Sequence, residues 1–236
     1  MVVAVGFLLL LIKKVFFKVE PDKISNLVAN LEREEDDHKF THAYSIWLQP
    51  AEVNIFNAIQ KVIKVLGSKY QGTFHQPHAT LYGALYTADE EHVKAIAAKV
   101  ASSIKAFSLR YKSIDCKKPD YTKRWPAGVT IRYHHDSSFM DAANLTMLAY
   151  NQTDMQKPHT TLLYDFNGDS YRDPVVLNET IYLLEKTLGY PISQLTWTAS
   201  TVNVIYTSLR NHWKSSKDME EIVGKWKRVA SYNMMG

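Results

Sequence analysis

The chain has 236 residues and a mass of 27.1 kDa, and 46% of its residues are hydrophobic and 22% charged, which is typical of a globular protein. Its formal net charge is only +4 and its pI is about 8.9, so the chain does not have the concentrated positive charge that is typical of duplex-DNA binders. Any contact with nucleic acid must therefore be local. Cys116 is the single cysteine, which excludes an intramolecular disulfide framework and a cysteine-based zinc finger.

Residues 1–19 are predicted to be a hydrophobic anchor or signal-like segment. The stretch Val2–Ile12 carries no charge, but it is shorter than the roughly 20 residues that cross a bilayer as a helix. A cleaved signal peptide has its positive charge before the apolar run, whereas here Lys13, Lys14 and Lys18 follow it. We therefore favour an uncleaved anchor or interfacial helix over a signal peptide or an ordinary buried helix.

The lysines after the apolar run predict, by the positive-inside rule, that the rest of the chain faces the cytosol. Three N-x-[ST] tripeptides, at Asn144, Asn151 and Asn178, would matter only in a lumenal or secreted protein, and such tripeptides often occur by chance. Residues 20–39 contain a run of charges and are predicted to be a solvated linker. Residues 40–236 have no further linker-like stretch and are predicted to form one domain.

Apolar and alternating stretches in this domain predict six strands: Ala43–Leu48, Ala79–Leu85, Phe107–Ile114, Gly128–Tyr133, Thr160–Tyr164 and Thr196–Leu209. Apolar residues at helical spacing predict four helices between them: around Val53–Leu66, Val93–Ile104, Leu145–Ala149 and Val176–Leu188. We expect the apolar faces of these helices to pack on a sheet. Strands joined by short turns and interspersed with helices indicate an α+β or mixed α/β fold.

Two segments, PHATL and PHTTL, recur in corresponding places of the two halves of the domain. Successive side chains on a strand point to opposite faces, so His78 shares a face with Thr80, and His159 shares a face with Thr161. A single His-x-Thr sequence is often only a strand residue beside a hydroxyl. Two copies, each preceded by proline and followed by leucine, indicate a paired site.

If the two halves are related by a pseudo-twofold axis, two imidazoles face each other across a groove. One neutral histidine can then take a proton from water while the other, protonated, donates to a departing ribose oxygen, because an imidazole pKa of about 6.5 allows both states. The threonine hydroxyls would bond the non-bridging phosphate oxygens as charge develops. This arrangement suits in-line phosphoryl chemistry without a metal or another cofactor.

Through these paired motifs the chain resembles the 2H phosphoesterase superfamily, and within it the eukaryotic cyclic phosphodiesterases. Supporting signs are the strand Tyr44–Leu48 followed by Pro50, and the closing segment Trp226–Tyr232. The resemblance covers roughly residues 40–236, which are therefore predicted to be the catalytic domain.

The resemblance implies an α+β, bilobal fold in which two antiparallel sheets face a central cleft, with helices outside. It also implies metal-independent opening of a nucleoside 2',3'-cyclic phosphate, an ADP-ribose 1'',2''-cyclic phosphate or a related RNA-end phosphate. By the same analogy His159 activates water and His78 protonates the leaving oxygen.

Aromatic residues near the motifs are further candidates for substrate binding. Tyr82 is four positions after His78, so strict alternation places it on the same strand face, where it is predicted to line the cleft and stack a base. Tyr164 is five positions after His159, so it is predicted to lie on the opposite face, in the core. The stretch Lys117–Pro126 mixes cations with aromatics, and its Trp125 is a second candidate for base stacking. A solvated hairpin loop is the simpler interpretation of that stretch.

Other histidines receive less specific interpretations. His75 precedes the first motif by three residues and is predicted to be structural. The sequence His134-His135-Asp136 suggests a metal site, but a third convergent ligand is missing from the sequence, so no metal site is predicted.

Three alternatives to a cyclic phosphodiesterase stay open. The same site could cleave a linear 2',5'- or 3',5'-oligonucleotide; the chain could be a non-catalytic nucleotide- or RNA-binding module; or it could be a membrane-tethered interaction protein. The two intact motifs argue against the last two. We expect a monomer whose partners are a nucleotide or RNA-end cyclic phosphate and, through residues 1–19, a membrane.

Overall fold

The computed structural model describes residues 43–117, 127–153, 155, 157–165, 174–207 and 223–236. The predicted anchor and linker, and Trp125 with most of its loop, lie outside the described residues. Within the described part of the chain, no helix is long and apolar enough to cross a membrane.

Seven strands are found in the described residues: β1 (Ala43–Pro50), β2 (Ala79–Tyr86), β3 (Phe107–Lys117), β4 (Ala127–Tyr133), β5 (His159–Asp165), β6 (Thr196–Tyr206) and β7 (Lys227–Asn233). The first six confirm the predicted strands, with ends that differ by a few residues. The seventh is not predicted, because its sequence KRVASYN is largely polar and exposed and lacks a clear alternation.

Four α-helices are described: α1 (Val53–Tyr70), α2 (Glu90–Ala101), α3 (Ser137–Ala149) and α4 (Pro174–Leu188). Helix α1 is amphipathic and buries an apolar face that includes Ile59, Ile63 and Leu66. Asp89 begins α2 as an N-cap, because its carboxylate accepts from the main-chain N–H of His92.

All strand pairs are antiparallel, in the order β2-β1-β6-β3-β4-β5, with β7 also on β6. Strand β3 connects two lobes: its first residues, Phe107–Arg110, pair with β6, whereas its remainder from Tyr111 pairs with β4. One lobe therefore contains β2, β1, β6 and β7, and the other contains β3, β4 and β5. This architecture confirms the predicted α+β class with two antiparallel sheets.

Strand β1 shows how the two faces of the first sheet differ. Tyr44, Ile46 and Leu48 belong to the apolar core. Trp47 and Gln49 alternate with them and are also buried, but they lie outside that core cluster. This second face of β1 is the one that carries the candidate site.

Candidate active site

The strand of the first motif carries a β-bulge directly after its threonine. Thr80 lies opposite Trp47 and Tyr82 lies opposite Ile46, so Leu81 is an extra residue on β2. Because a bulge inserts one residue into the pleat, side chains beyond it change face relative to strict alternation.

The strand of the second motif carries a bulge at the corresponding place. Thr161 lies opposite Thr130 and Leu163 lies opposite Val129, so Leu162 is an extra residue on β5. The two motifs therefore share their residue types and also the same local distortion, as expected for half-domains built on one plan.

His78 occupies a closed environment at the entry to β2, with only 4% of its surface exposed. Its ring stacks on Trp47, with ring centroids 3.5 Å apart and planes 5° apart. Its Nδ1 lies 2.7 Å from the carbonyl oxygen of Gln76. The side chain of Gln76 in turn accepts a bond of 3.0 Å from the amide of Gln49 on β1.

His159 begins β5, pairs across the sheet with Arg132 and is partly buried. Its Nδ1 lies 2.8 Å from the carbonyl oxygen of Lys157. Each motif histidine thus contacts the carbonyl of the residue two positions before it. A carbonyl only accepts, so Nδ1 must carry the proton in both rings, which leaves Nε2 as the free nitrogen of the neutral form.

Both motif histidines favour the neutral form. Burial lowers the pKa of His78 well below 6.5, and the nearby His75 and His159 lower that pKa further. Burial also lowers the pKa of His159, to about 4, with smaller contributions from Lys117 and Arg132. The fold brings the two motifs together, because Nε2 of His75, three residues before His78, lies 3.0 Å from the carbonyl oxygen of Thr161.

Two cations of the second lobe act on His159: Arg132 pairs with it across the sheet, and Lys117 lies on β3 opposite Gly128. Arg132 donates through Nε to Asp115 at 2.9 Å, and this ion pair neutralises part of its charge. Lys117 is partly buried, and burial followed by the charge of Arg132 lowers its pKa. Among the described residues Lys117 has no ion pair, and its positive charge lowers the pKa of His159.

The two motif threonines lie where the sequence predicts, on the strand face of their histidines. Thr80 is partly buried opposite Trp47, and Thr161 is buried opposite Thr130. Burial raises the pKa of the Tyr164 phenol, and the side chain of Thr161 offsets part of that rise.

The predicted positions of two tyrosines are wrong, and the bulges are the reason. Tyr82, expected in the cleft, lies in the apolar core opposite Ile46, and its hydroxyl donates to Gln152 at 3.1 Å. Tyr164, expected in the core, lies opposite Gly128, and its ring lies against that of His75, so it adjoins the site.

His75, predicted to be structural, is buried and contacts residues of both motif strands. The side chain is 5% exposed, and its Nε2 lies 3.0 Å from the carbonyl oxygen of Thr161. Its ring also contacts those of Tyr164 and His78, with centroids 5.0 Å and 5.7 Å away. His75 therefore ties the segment before the first motif to the strand of the second.

The sequence His134-His135-Asp136 does not form a metal site in the structure. Both carboxylate oxygens of Asp136 accept from Arg110, at 2.8 and 3.1 Å. The described residues contain no group of three or more histidine, cysteine or acidic side chains that could hold a metal ion.

The family model of the cyclic phosphodiesterase-like proteins matches residues 42–168, more than half of the chain and the part that holds both motifs. The chain belongs to the cyclic phosphodiesterase-like family. This membership confirms the resemblance found in the sequence and supports a phosphodiesterase-type activity. No curated protein sequence matches the chain significantly.

Solved structures of similar fold include TT0787 of Thermus thermophilus, which is 12% identical, with a TM-score of 0.51 over 82% of this chain and 98% of that chain. A structure described as a phosphoesterase is also 12% identical, with a TM-score of 0.51 over 83% and 99%. LigT of E. coli in complex with NADP+ is 10% identical, with a TM-score of 0.48 over 84% and 99%. At such low identity, the likeness to TT0787 and to the phosphoesterase concerns the fold alone.

Proposed function

We propose that the protein hydrolyses a nucleoside 2',3'-cyclic phosphate, or a related cyclic phosphate, to a phosphomonoester, with His78 and His159 as general acid and base. The observation that carries this proposal is the matched pair of Nδ1 bonds, at 2.7 and 2.8 Å, to main-chain carbonyls. These bonds fix one tautomer in both rings and leave both Nε2 atoms for proton transfer.

In the proposed reaction, Nε2 of neutral His159 accepts a proton from water as the water oxygen forms a bond to phosphorus. The bond from phosphorus to one ribose oxygen breaks, and Nε2–H of protonated His78 donates a proton to that oxygen. The products are a free ribose hydroxyl and a phosphomonoester, and proton exchange with water restores both histidines. One water is consumed, and the balance requires no metal or cofactor.

Local charges support the role of His159 as the base, because Lys117 and Arg132 disfavour its protonated form. The free protein disfavours the protonated form of His78 as well, so the acid role of His78 rests on the family resemblance. A bound phosphate anion raises the pKa of both rings, which supplies the protonated state that the free protein disfavours.

The threonines and Lys117 complete the proposed site. Thr80 and Thr161 share the faces of their histidines and would donate to non-bridging oxygens. Lys117 would add a charge-assisted contact to the same phosphate, because it has no ion pair among the described residues.

Turnover of 2',3'-cyclic AMP by the purified full-length chain tests the proposal, with and without excess EDTA. We expect activity that survives EDTA and falls by at least about a hundredfold in His78→Ala and in His159→Ala. Full activity in either variant contradicts the two-histidine mechanism, and loss in EDTA contradicts the metal-independent one.

If 2',3'-cyclic AMP is not hydrolysed, ADP-ribose 1'',2''-cyclic phosphate and linear 2',5'- and 3',5'-oligonucleotides are tested next. Cleavage of only the linear substrates would assign the same site to an oligonucleotide phosphodiesterase. Nucleotide binding without turnover of any of them would indicate a binding module.

We also propose that residues 1–19 attach the protein to a membrane, with residues 40–236, as an independent catalytic domain, on the cytosolic side. The uncharged run Val2–Ile12 and the lysines after it support this proposal. Deletion of residues 1–19 should release the protein from the membrane fraction and leave turnover unchanged. A deletion variant that remains in the membrane fraction contradicts the anchor.

A further inference from the structure

A pocket of about 300 Å³ lies beside the stacked pair Trp47 and His78. It is formed by α1, the segment before β2, the inner strands β1 and β6, and the residues leading into β7. Its lining includes Trp47, Gln60, Lys64, His75, Trp226 and Arg228. The indole ring of Trp47 thus stacks on His78 and also contributes to this pocket.

The lining of the pocket favours an anion. Lys64 on α1 and Arg228 on β7 are both exposed, and neither forms an ion pair with a carboxylate of the described residues. The described lining contains no acidic residue at all. The indole Nε1 of Trp226 is buried and has no hydrogen-bond partner in the described part of the chain. Because this nitrogen is inaccessible to solvent, the preference of the pocket for an anion rests on Lys64 and Arg228.

The lining also favours a flat or apolar portion next to the anion. The indoles of Trp47 and Trp226 meet edge to face, with centroids 5.6 Å apart and planes inclined by 73°. Phe74, which is 47% exposed, lies on the same pocket. Two cations with exposed aromatic surface match a phosphorylated nucleoside, whose ring system can pack on an aromatic side chain.

We propose that this pocket binds a second phosphate group of the substrate, one that does not react, through Lys64 and Arg228. This inference rests on the proposed function, because the pocket is placed next to His78 by the shared contact with Trp47. The preferred substrate then carries a phosphate at a position other than the cyclic ester, rather than being an unsubstituted nucleoside cyclic phosphate.

Equilibrium binding to the full-length chain tests the inference with two stable probes that differ by one phosphate. The probes are adenosine 2'-phosphate and adenosine 2',5'-bisphosphate, measured by titration calorimetry. We expect the bisphosphate to bind at least about tenfold more tightly, since a desolvated phosphate–cation contact is charge-assisted. Lys64→Gln and Arg228→Gln should each reduce this preference to less than about threefold.

Matched controls separate a local contact from a change of net charge. Lys61 lies on α1 and Lys227 on β7, both are exposed, and neither lines the pocket. Lys61→Gln and Lys227→Gln remove the same charge from the same elements and should retain the preference of the wild type.

Several results would overturn the inference: equal affinity for the two probes, no measurable binding of either, or the same loss in the controls as in the pocket variants. Turnover of 2',3'-cyclic AMP is measured on the same preparation, so the test of the pocket and the test of the proposed hydrolysis can be judged separately. Turnover without a preference for the bisphosphate overturns the pocket assignment alone. A preference that Lys64→Gln abolishes, without turnover of any substrate, supports the pocket and overturns the proposed hydrolysis.

Discussion

Trp47 and His78 lie face to face, with ring centroids 3.5 Å apart and planes only 5° apart. The stack determines the plane of the imidazole, and the Nδ1 bond to the Gln76 carbonyl determines its rotation within that plane. Together these two contacts fix the direction of Nε2. Trp47 is thus a positioning residue for the proposed acid, and it comes from β1, the strand that neighbours the motif.

Replacement of Trp47 should lower turnover according to how much of the flat ring surface remains. We expect Trp47→Leu to lower kcat by about tenfold to a hundredfold, because the imidazole loses the ring that orients it. Trp47→Phe keeps an aromatic face and should retain most of kcat. Steady-state kinetics with 2',3'-cyclic AMP check this expectation, and equal kcat values in the two variants would contradict an orienting role.

Lys117 should set the protonation range of His159. The charge of Lys117 lowers the pKa of His159, so Lys117→Gln should raise that pKa and shift the corresponding limb of the kcat/KM profile to higher pH. The same variant should raise KM, because it removes a cation from beside the reacting phosphate.

Lys112→Gln is the matched control for Lys117→Gln. Lys112 lies on the same strand and is exposed, and its charge acts on His135 rather than on His159. A shift of the profile that is equal in both variants would attribute the effect to net charge and not to the position of Lys117.

Most of the fold follows from local pattern. Six strands and three of the four helices have apolar faces with a clear period, and the sequence predicts them within a few residues. Helix α3 begins at Ser137, eight residues before its predicted start at Leu145. Strand β7 escapes prediction, because an exposed strand needs no buried face and its residues Lys227 and Arg228 obscure any alternation.

The sequence predicts the site residues as far as the bulge in each motif strand, and not beyond it. The identity of His78, Thr80, His159 and Thr161 is visible in the repeated motif. Alternation fails immediately beyond each threonine, because the register of a strand depends on its neighbours in the sheet. The contact of His75 with the main chain of Thr161 joins residues 86 positions apart, and no local pattern predicts it.

The bulges place Tyr82 in the core and Tyr164 next to the site, which is the opposite of the prediction from strict alternation. Variants of these two tyrosines therefore test the bulged register directly. Tyr164→Phe removes the phenol hydroxyl whose pKa Thr161 influences, so we expect a several-fold decrease in kcat/KM. Tyr82→Phe removes a hydroxyl that donates to Gln152 in the core, so it should cost about 1 kcal/mol of stability or less and leave kcat/KM unchanged. The reverse pattern would show that strict alternation, and not the bulged register, describes these strands.

The buried histidines should make stability depend on pH below neutrality. Burial lowers the pKa values of His75, His78 and His159 in the folded state, so the unfolded chain binds more protons once the pH falls below about 6.5. Their neutral forms are compatible with folding above that pH, and stability is lost as the pH falls from 6.5 towards the lowered values. Between pH 6.5 and 5.5 a histidine whose folded-state pKa is about 4, as at His159, should lower the free energy of unfolding by about 1 kcal/mol.

Urea unfolding of the full-length chain at pH 7.5, 6.5 and 5.5, followed by tryptophan fluorescence, measures this dependence. His75→Gln keeps a donor for the Thr161 carbonyl but removes one buried titrating group, so its stability should fall less steeply with pH than that of the wild type. His92→Gln, on the exposed side of α2, controls for the loss of a histidine. A pH dependence that is identical in His75→Gln and in the wild type would mean that His75 does not contribute to it, even though the ring is buried between the two motifs.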